Sequence, residues 1–225
     1  MNPPGERSGS AAGFVLAGGQ SRRFGADKAR AVLAGEPMLA RMAALVSGVT
    51  NSVSVIAAVE GTYSDLRISF VQDRWPGEGP LGGVLTALLH KRPLENSDGS
   101  QLPPPGDGMA VWNLIVSCDM PFLTPEWLRF LLGHAQASDA QAVVARSAHG
   151  VEPLCACWRT DVASVLQPAF LGGMRRVADG LKLLRTEVLD EPVWKRFDSE
   201  GRLFWNMNTP GDFEEAKRIL ESTNS

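Results

Sequence analysis

AGFVLAGGQSRRFGADK, residues 12–28, is the stretch from which the rest of the chain can be read. Its first five residues are small or apolar and lead into a glycine pair, as a buried parallel strand does when it enters a tight turn. Gly18 and Gly19 let backbone amides approach a phosphate chain closely. Arg22, Arg23 and Lys28 follow, able to neutralise a triphosphate and its leaving pyrophosphate. The spacing is neither GxxxxGKS/T nor GxGxxG, which excludes the P-loop and the dinucleotide fingerprint. The plain alternative is a tight turn with a solvated basic face. A strand before the glycines and three cations after them argue against it.

Outward from this strand the pattern alternates. Apolar runs at 53–59, 68–71, 111–116, 141–145 and 154–158 read as strands, and helical spacing recurs at 37–48, 81–90, 125–134, 161–170, 174–184 and 210–220. Thr124 is placed to cap one helix, and Thr209 followed by Pro210 another. Alternation of this kind predicts a three-layer α/β fold, a mostly parallel sheet with helices on both faces. Ligands of such sheets bind beyond the carboxyl ends of the strands. The polar, Pro- and Gly-rich stretch at 93–108 breaks the rhythm and reads as a mobile surface insertion. The expected organisation is a flexible leader over 1–11 and a single domain over 12–222.

Bulk properties limit the partners. With 225 residues, 44% hydrophobic and 21% charged, the chain has the composition of a globular domain and not of a disordered one. A net charge of -3 gives no global attraction to nucleic acid or to an anionic membrane, so an anionic ligand must be held by local positive charge. No apolar run approaches the roughly 18 residues of a membrane span. No signal-peptide core follows the leader, and three cysteines make no disulfide framework, so a reducing cytoplasm is the expected compartment.

Three further clusters sit at expected strand ends. Asp73, followed by Gly79-Pro80-Leu81-Gly82-Gly83, can accept from the N–H edge of guanine or from a ribose, and the glycines can open a helix against the ligand. An ordinary turn aspartate is the competing reading. In NLIVSCDMPFL, apolar residues lead to Asp119 at a strand end, placed to hold Mg2+, a hard cation that shares oxygen ligands with phosphates. Asn206 and Asn208 stand at alternate positions before the last helix, where extended backbone turns both amides toward one ligand. Cys155 and Cys157 lack the further ligands of a metal site and read as buried thiols. The three histidines are scattered and support no catalytic triad.

Taken in order, LAGGQSRRFGADK, Asp73 with GPLGG, CDMPF and NMNTPGD resemble the molybdenum cofactor guanylyltransferase family, whose pattern is LAGGxSxRMGxDK, Asp before GPLxG, CDxPF and NxNTPxD. The resemblance implies a Rossmann-like nucleotidyltransferase that joins GMP from GTP to molybdenum-molybdopterin. It implies nucleotide contacts from Leu16, Ala17, Gly18, Gly19, Lys28 and Asp73, Mg2+ on Asp119, and Asn206 and Asn208 on the molybdopterin side. Cofactor-delivery or acceptor molybdoenzymes follow as candidate partners. Phe24 stands where the family has Met, and Ala57 and Ala58 where it often places Asn.

Chemistry supplies the catalytic roles. The acceptor phosphate is already anionic near neutral pH, so positioning and charge stabilisation dominate over base catalysis, with Lys28, Arg23 and Asp119 as the groups that carry them. The alternatives are a CTP-dependent cytidylyltransferase acting on molybdopterin or on a sugar or polyol phosphate, and a silent nucleotide-binding regulator. LAGG instead of LAAG favours GTP. Lys28 together with Asp119 argues against silence.

Overall fold

The computed structural model describes residues 11–17, 27–59, 63–90 and 111–223. Residues 1–10 of the expected leader, the expected insertion at 93–108, and Gly18, Gly19 and Arg23 lie outside the described residues. Ala11 is already the first residue of a strand.

Seven strands form one sheet: β1 (Ala11–Leu16), β2 (Ser52–Ala57), β3 (Phe70–Gln72), β4 (Trp112–Ser117), β5 (Ala142–Ser147), β6 (Gly150–Arg159) and β7 (Thr186–Leu189), in the spatial order β3-β2-β1-β4-β6-β5-β7. β1 pairs in parallel with β2 and β4, β2 with β3, and β5 with β7. β6 alone runs antiparallel, between β4 and β5. Only Ala148 and His149 separate β5 from β6, and so short a link permits a hairpin but no crossover.

The helices α1 (Met38–Ser47), α3 (Pro125–Ala137), α6 (Glu191–Trp194) and α7 (Pro210–Thr223) cover one face, meeting Val15, Val55, Leu114, Val116, Cys155 and Cys157. α2 (Pro80–Leu88), α4 (Ala163–Leu171) and α5 (Val177–Leu181) cover the other, meeting Phe14, Leu16, Ile56, Ile115, Ala156 and Trp158. Successive strand residues point to opposite faces, so each central strand feeds both cores; β1 is small and apolar throughout, while Ser54 interrupts β2 and Asn113 interrupts β4. This is the three-layer arrangement expected from the sequence. At Gly13 a Cβ would stand 2.2 Å from Val46 Cγ1, so the missing side chain is what lets α1 lie close on β1.

Two stretches differ from expectation. The helix expected over 174–184 shrinks to α5, because Gly173 at φ +103 and Arg176 in extended backbone delay its start. Beyond it the edge strand β7 had no counterpart in the sequence reading; it is four residues long and includes Thr186 and Glu187. The caps came out as expected. Thr124 Oγ1 accepts from Trp127 N at 3.2 Å. Thr209 Oγ1 accepts from Asp212 N at 3.2 Å while the Asp212 carboxylate accepts from Thr209 N at 2.7 Å, a reciprocal capping box. Burial opposes the Asp212 charge, but the amides of Asn208 and Thr209 outweigh it and hold the carboxyl below the usual range.

Candidate active site

Because β1 to β4 are parallel, their carboxyl ends share one edge of the sheet, and a cleft of about 710 Å³ opens there. That volume suits a ligand of nucleotide size. The backbone continues the ladder just past the strands. Ala17 N donates to Ile56 O at 2.8 Å, Asp73 N to Ala57 O at 2.8 Å and Cys118 N to Leu16 O at 3.2 Å, which levels the cleft floor. Leu16, Ala17 and Asp73, all expected as nucleotide contacts, line the cleft. Ala57, Ala58 and Val59 line it where the family pattern often has Asn, giving an apolar wall. Gly79, Pro80 and Gly83 bring in the amino end of α2, an electropositive terminus suited to phosphate. Gly79 holds φ +89 as the helix N-cap, a conformation that favours glycine.

Asp73 serves the turn as well as the wall. Its Oδ1 accepts from Trp75 N at 3.0 Å and from the buried Thr86 hydroxyl at 2.9 Å, while Thr86 Oγ1 accepts from Arg74 N at 3.0 Å. These bonds tie the end of β3 to α2. The turn role and the place in the cleft, read from sequence as alternatives, coexist.

Beside the cleft, three distant parts of the chain converge. Lys28 Nζ lies 3.7 Å from Asp119 Oδ2, with side chains 15% and 20% exposed, and donates to Asn208 Oδ1 at 3.2 Å. Ser117 Oγ, which also faces the cleft, donates to Asp119 Oδ1 at 2.6 Å. Met207 N donates to the Asp119 carbonyl at 2.9 Å, so the 206–208 segment is laced onto the end of β4. Met207 is buried, and Asn206 and Asn208 flank it. The two amides nevertheless differ: Asn206 Nδ2 donates back to Phe204 O at 3.0 Å, whereas Asn208 meets Lys28. Asn208 therefore sits with Lys28 and Asp119, apart from Asn206. Phe122 and Trp205 stack at 5.3 Å with their planes 2° apart, bracing CDMPF against the 205–208 segment.

Among the described residues no three His, Cys, Asp or Glu converge as a metal cluster. A single partly exposed carboxylate with a serine beside it instead fits Mg2+, which keeps several waters and takes one or two carboxylates together with substrate phosphates. The thiols are not nucleophiles. Burial first, and then the Asp119 charge, pushes Cys118 up to about 12, and burial pushes Cys155 up to about 12 as well.

Two groups went unnoticed in the sequence. Asp27 caps the short turn Lys28–Arg30 through Ala29 N at 3.0 Å, and Tyr63 reaches it from the cleft wall. Asp27 stood inside the quoted motif. Tyr63 carried no signal, since it lies 36 residues away and is the only tyrosine of the chain.

Known proteins resemble the chain over nearly its whole length. The MobA-like NTP transferase domain matches residues 13–186. A probable molybdenum cofactor guanylyltransferase of Chloroflexus aggregans is 31% identical over 216 residues, spanning 94% of this chain and 96% of that protein. The molybdenum cofactor guanylyltransferase of Syntrophotalea carbinolica is 25% identical over 204 residues, spanning 91% of this chain and 89% of its own. The crystal structure of molybdopterin-guanine dinucleotide biosynthesis protein A from Archaeoglobus fulgidus superposes with a TM-score of 0.76 at 25% identity, covering 94% of this chain and 99% of that one. With a cleft at the strand ends, a lysine and a carboxylate joined to it through Ser117, and this likeness in sequence and fold, the chain belongs to the family of MobA-like NTP transferase domains.

Proposed function

We propose that this nucleotidyltransferase transfers GMP from GTP to molybdenum-molybdopterin, giving the guanine dinucleotide form of the cofactor and pyrophosphate. The observation that carries the reading is the convergence of Lys28, Asp119 and Asn208 beside a nucleotide-sized cleft. The names of the relatives supply the choice of guanine and of acceptor.

In this reading the triphosphate meets the amino end of α2; Leu16, Ala17, Gly18, Gly19 and Lys28 are its further contacts, and Asp73 takes base or ribose. The terminal phosphate oxygen of the acceptor attacks the α-phosphorus of GTP. The new P–O bond forms as the bond to the bridging oxygen breaks, and that oxygen leaves on pyrophosphate. Lys28 and Arg23 offset the charge that gathers there, and the site's fixed geometry holds the two substrates in line. Asp119 would hold Mg2+, which would supply charge stabilisation to the phosphates. Asn206 and Asn208 present amides to the pterin. The product passes to cofactor-delivery or acceptor molybdoenzymes in the cytoplasm.

Thermal denaturation with each NTP, with and without Mg2+, tests the nucleotide choice. A ligand that prefers the native state stabilises it, by about 2.7 kcal/mol at a hundred times its Kd. GTP with Mg2+ should raise the melting temperature more than ATP, CTP or UTP. A preference for CTP would overturn guanylyl transfer and leave the transferase class standing.

A further inference from the structure

The segment that carries Tyr63 and the turn that carries Lys28 are clasped together. The Tyr63 hydroxyl lies 3.1 and 3.0 Å from the two oxygens of Asp27 and donates to that carboxylate. Asp27 in turn caps the turn Lys28–Arg30, whose backbone closes through Arg30 N to Asp27 O at 3.0 Å and Ala31 N to Lys28 O at 3.1 Å. A second tie runs between the same two segments. The Arg30 guanidinium makes two bonds of 2.9 Å to the Asp65 carboxylate and stands 5.5 Å from the Tyr63 ring centroid. That outer pair is exposed and contributes little by itself. Tyr63 is the buried member, 8% exposed, packed in the core that also holds Ala17, Ala29 and Cys118. Its ring lines the nucleotide cleft.

We propose that Tyr63 is the positioning residue of Lys28: by donating its hydroxyl to Asp27 it fixes the turn that aims the lysine at Asp119 and Asn208. The ring and the hydroxyl divide the work. The ring supplies cleft wall, core packing and the contact with Arg30, which phenylalanine would supply equally, and only the hydroxyl bonds the Asp27 cap. Burial first, then the bond to Asp27, raises the Tyr63 hydroxyl above the ordinary phenol range, so it remains a donor across physiological pH. A ligand pressed against the Tyr63 ring therefore bears on a wall joined to the turn that sets the lysine. This extends the reading of Lys28 as the phosphate-end cation, but the geometric claim needs no substrate for its test.

The test is lysine acetylation of the full chain under limiting acetic anhydride, read by mass spectrometry, with Lys182, Lys195 and Lys217 as internal references. In Tyr63→Phe, Lys28 should acetylate about fivefold faster relative to the references, the factor expected from one lost hydrogen bond. Asp27→Asn should give a similar rise. The double variant should add little to either, because the two residues act along one path. Three results would overturn the proposal: no change at Lys28 in Tyr63→Phe, an equal rise at all four lysines, or additive effects in the double variant. None of them bears on whether GTP is the donor, which the melting experiment decides separately.

Discussion

Asp119→Ala should lower turnover by about a hundredfold or more while the protein stays folded, because several kcal/mol of charge stabilisation at the transition state leaves with the carboxylate. The fold has little reason to fail. Asp119 is 20% exposed, its side chain bonds only to Ser117 and Lys28 among the contacts seen, and the bond that braces the 206–208 segment uses its backbone carbonyl, which alanine keeps. Circular dichroism and the melting temperature check the fold, and steady-state pyrophosphate release checks the rate. Near-normal turnover would mean that the metal is held elsewhere.

The two asparagines should separate. Lys28→Ala is expected to weaken both GTP binding and turnover, and Asn208 holds Lys28 at 3.2 Å, so Asn208→Ala should reproduce part of that loss. Asn206 Nδ2 donates to Phe204 O, and among the described residues it makes no hydrogen bond to Lys28 or Asp119, so Asn206→Ala should leave GTP affinity unchanged. Molybdopterin affinity should fall in both variants by about tenfold, or roughly 1.4 kcal/mol, since a site built for hydrogen bonds loses affinity when a partner is removed. Thr209 stays intact in each, so α7 keeps its cap. Titrating both ligands against each variant decides the matter. Equal GTP losses in the two variants would mean that Asn206 also serves the nucleotide.

Much of this was legible in the sequence, for a physical reason. Parallel strands buried on both faces are mostly apolar, and β1, β2 and β4 announce themselves that way despite Ser54 in β2 and Asn113 in β4. Turn and cap chemistry is local, so Thr124, Thr209 and Pro210 could be read in place. What stayed hidden was made by tertiary contact. β7 is a four-residue edge strand with Thr and Glu, too short and too polar for a run to show, and it exists because β5 offers it a partner. The antiparallel β6 was readable in principle, since a two-residue link cannot cross over, but strand runs at 141–145 and 154–158 conceal how short the link is. The bond from Lys28 to Asn208 spans 180 residues, and that from Tyr63 to Asp27 spans 36. No spacing rule reaches either. Each strand end could be nominated one at a time, but which side chains meet across the edge is settled by sheet order.

The most direct measurement is product analysis. The full chain is incubated with Mg2+, molybdenum-molybdopterin and GTP labelled at the α-phosphate, and the products are separated by chromatography. Guanylyl transfer predicts label in a molybdopterin guanine dinucleotide and one pyrophosphate released per dinucleotide formed, with CTP a poor substitute. Label that stays in GTP with a competent acceptor present, or efficient transfer from CTP in its place, would contradict it.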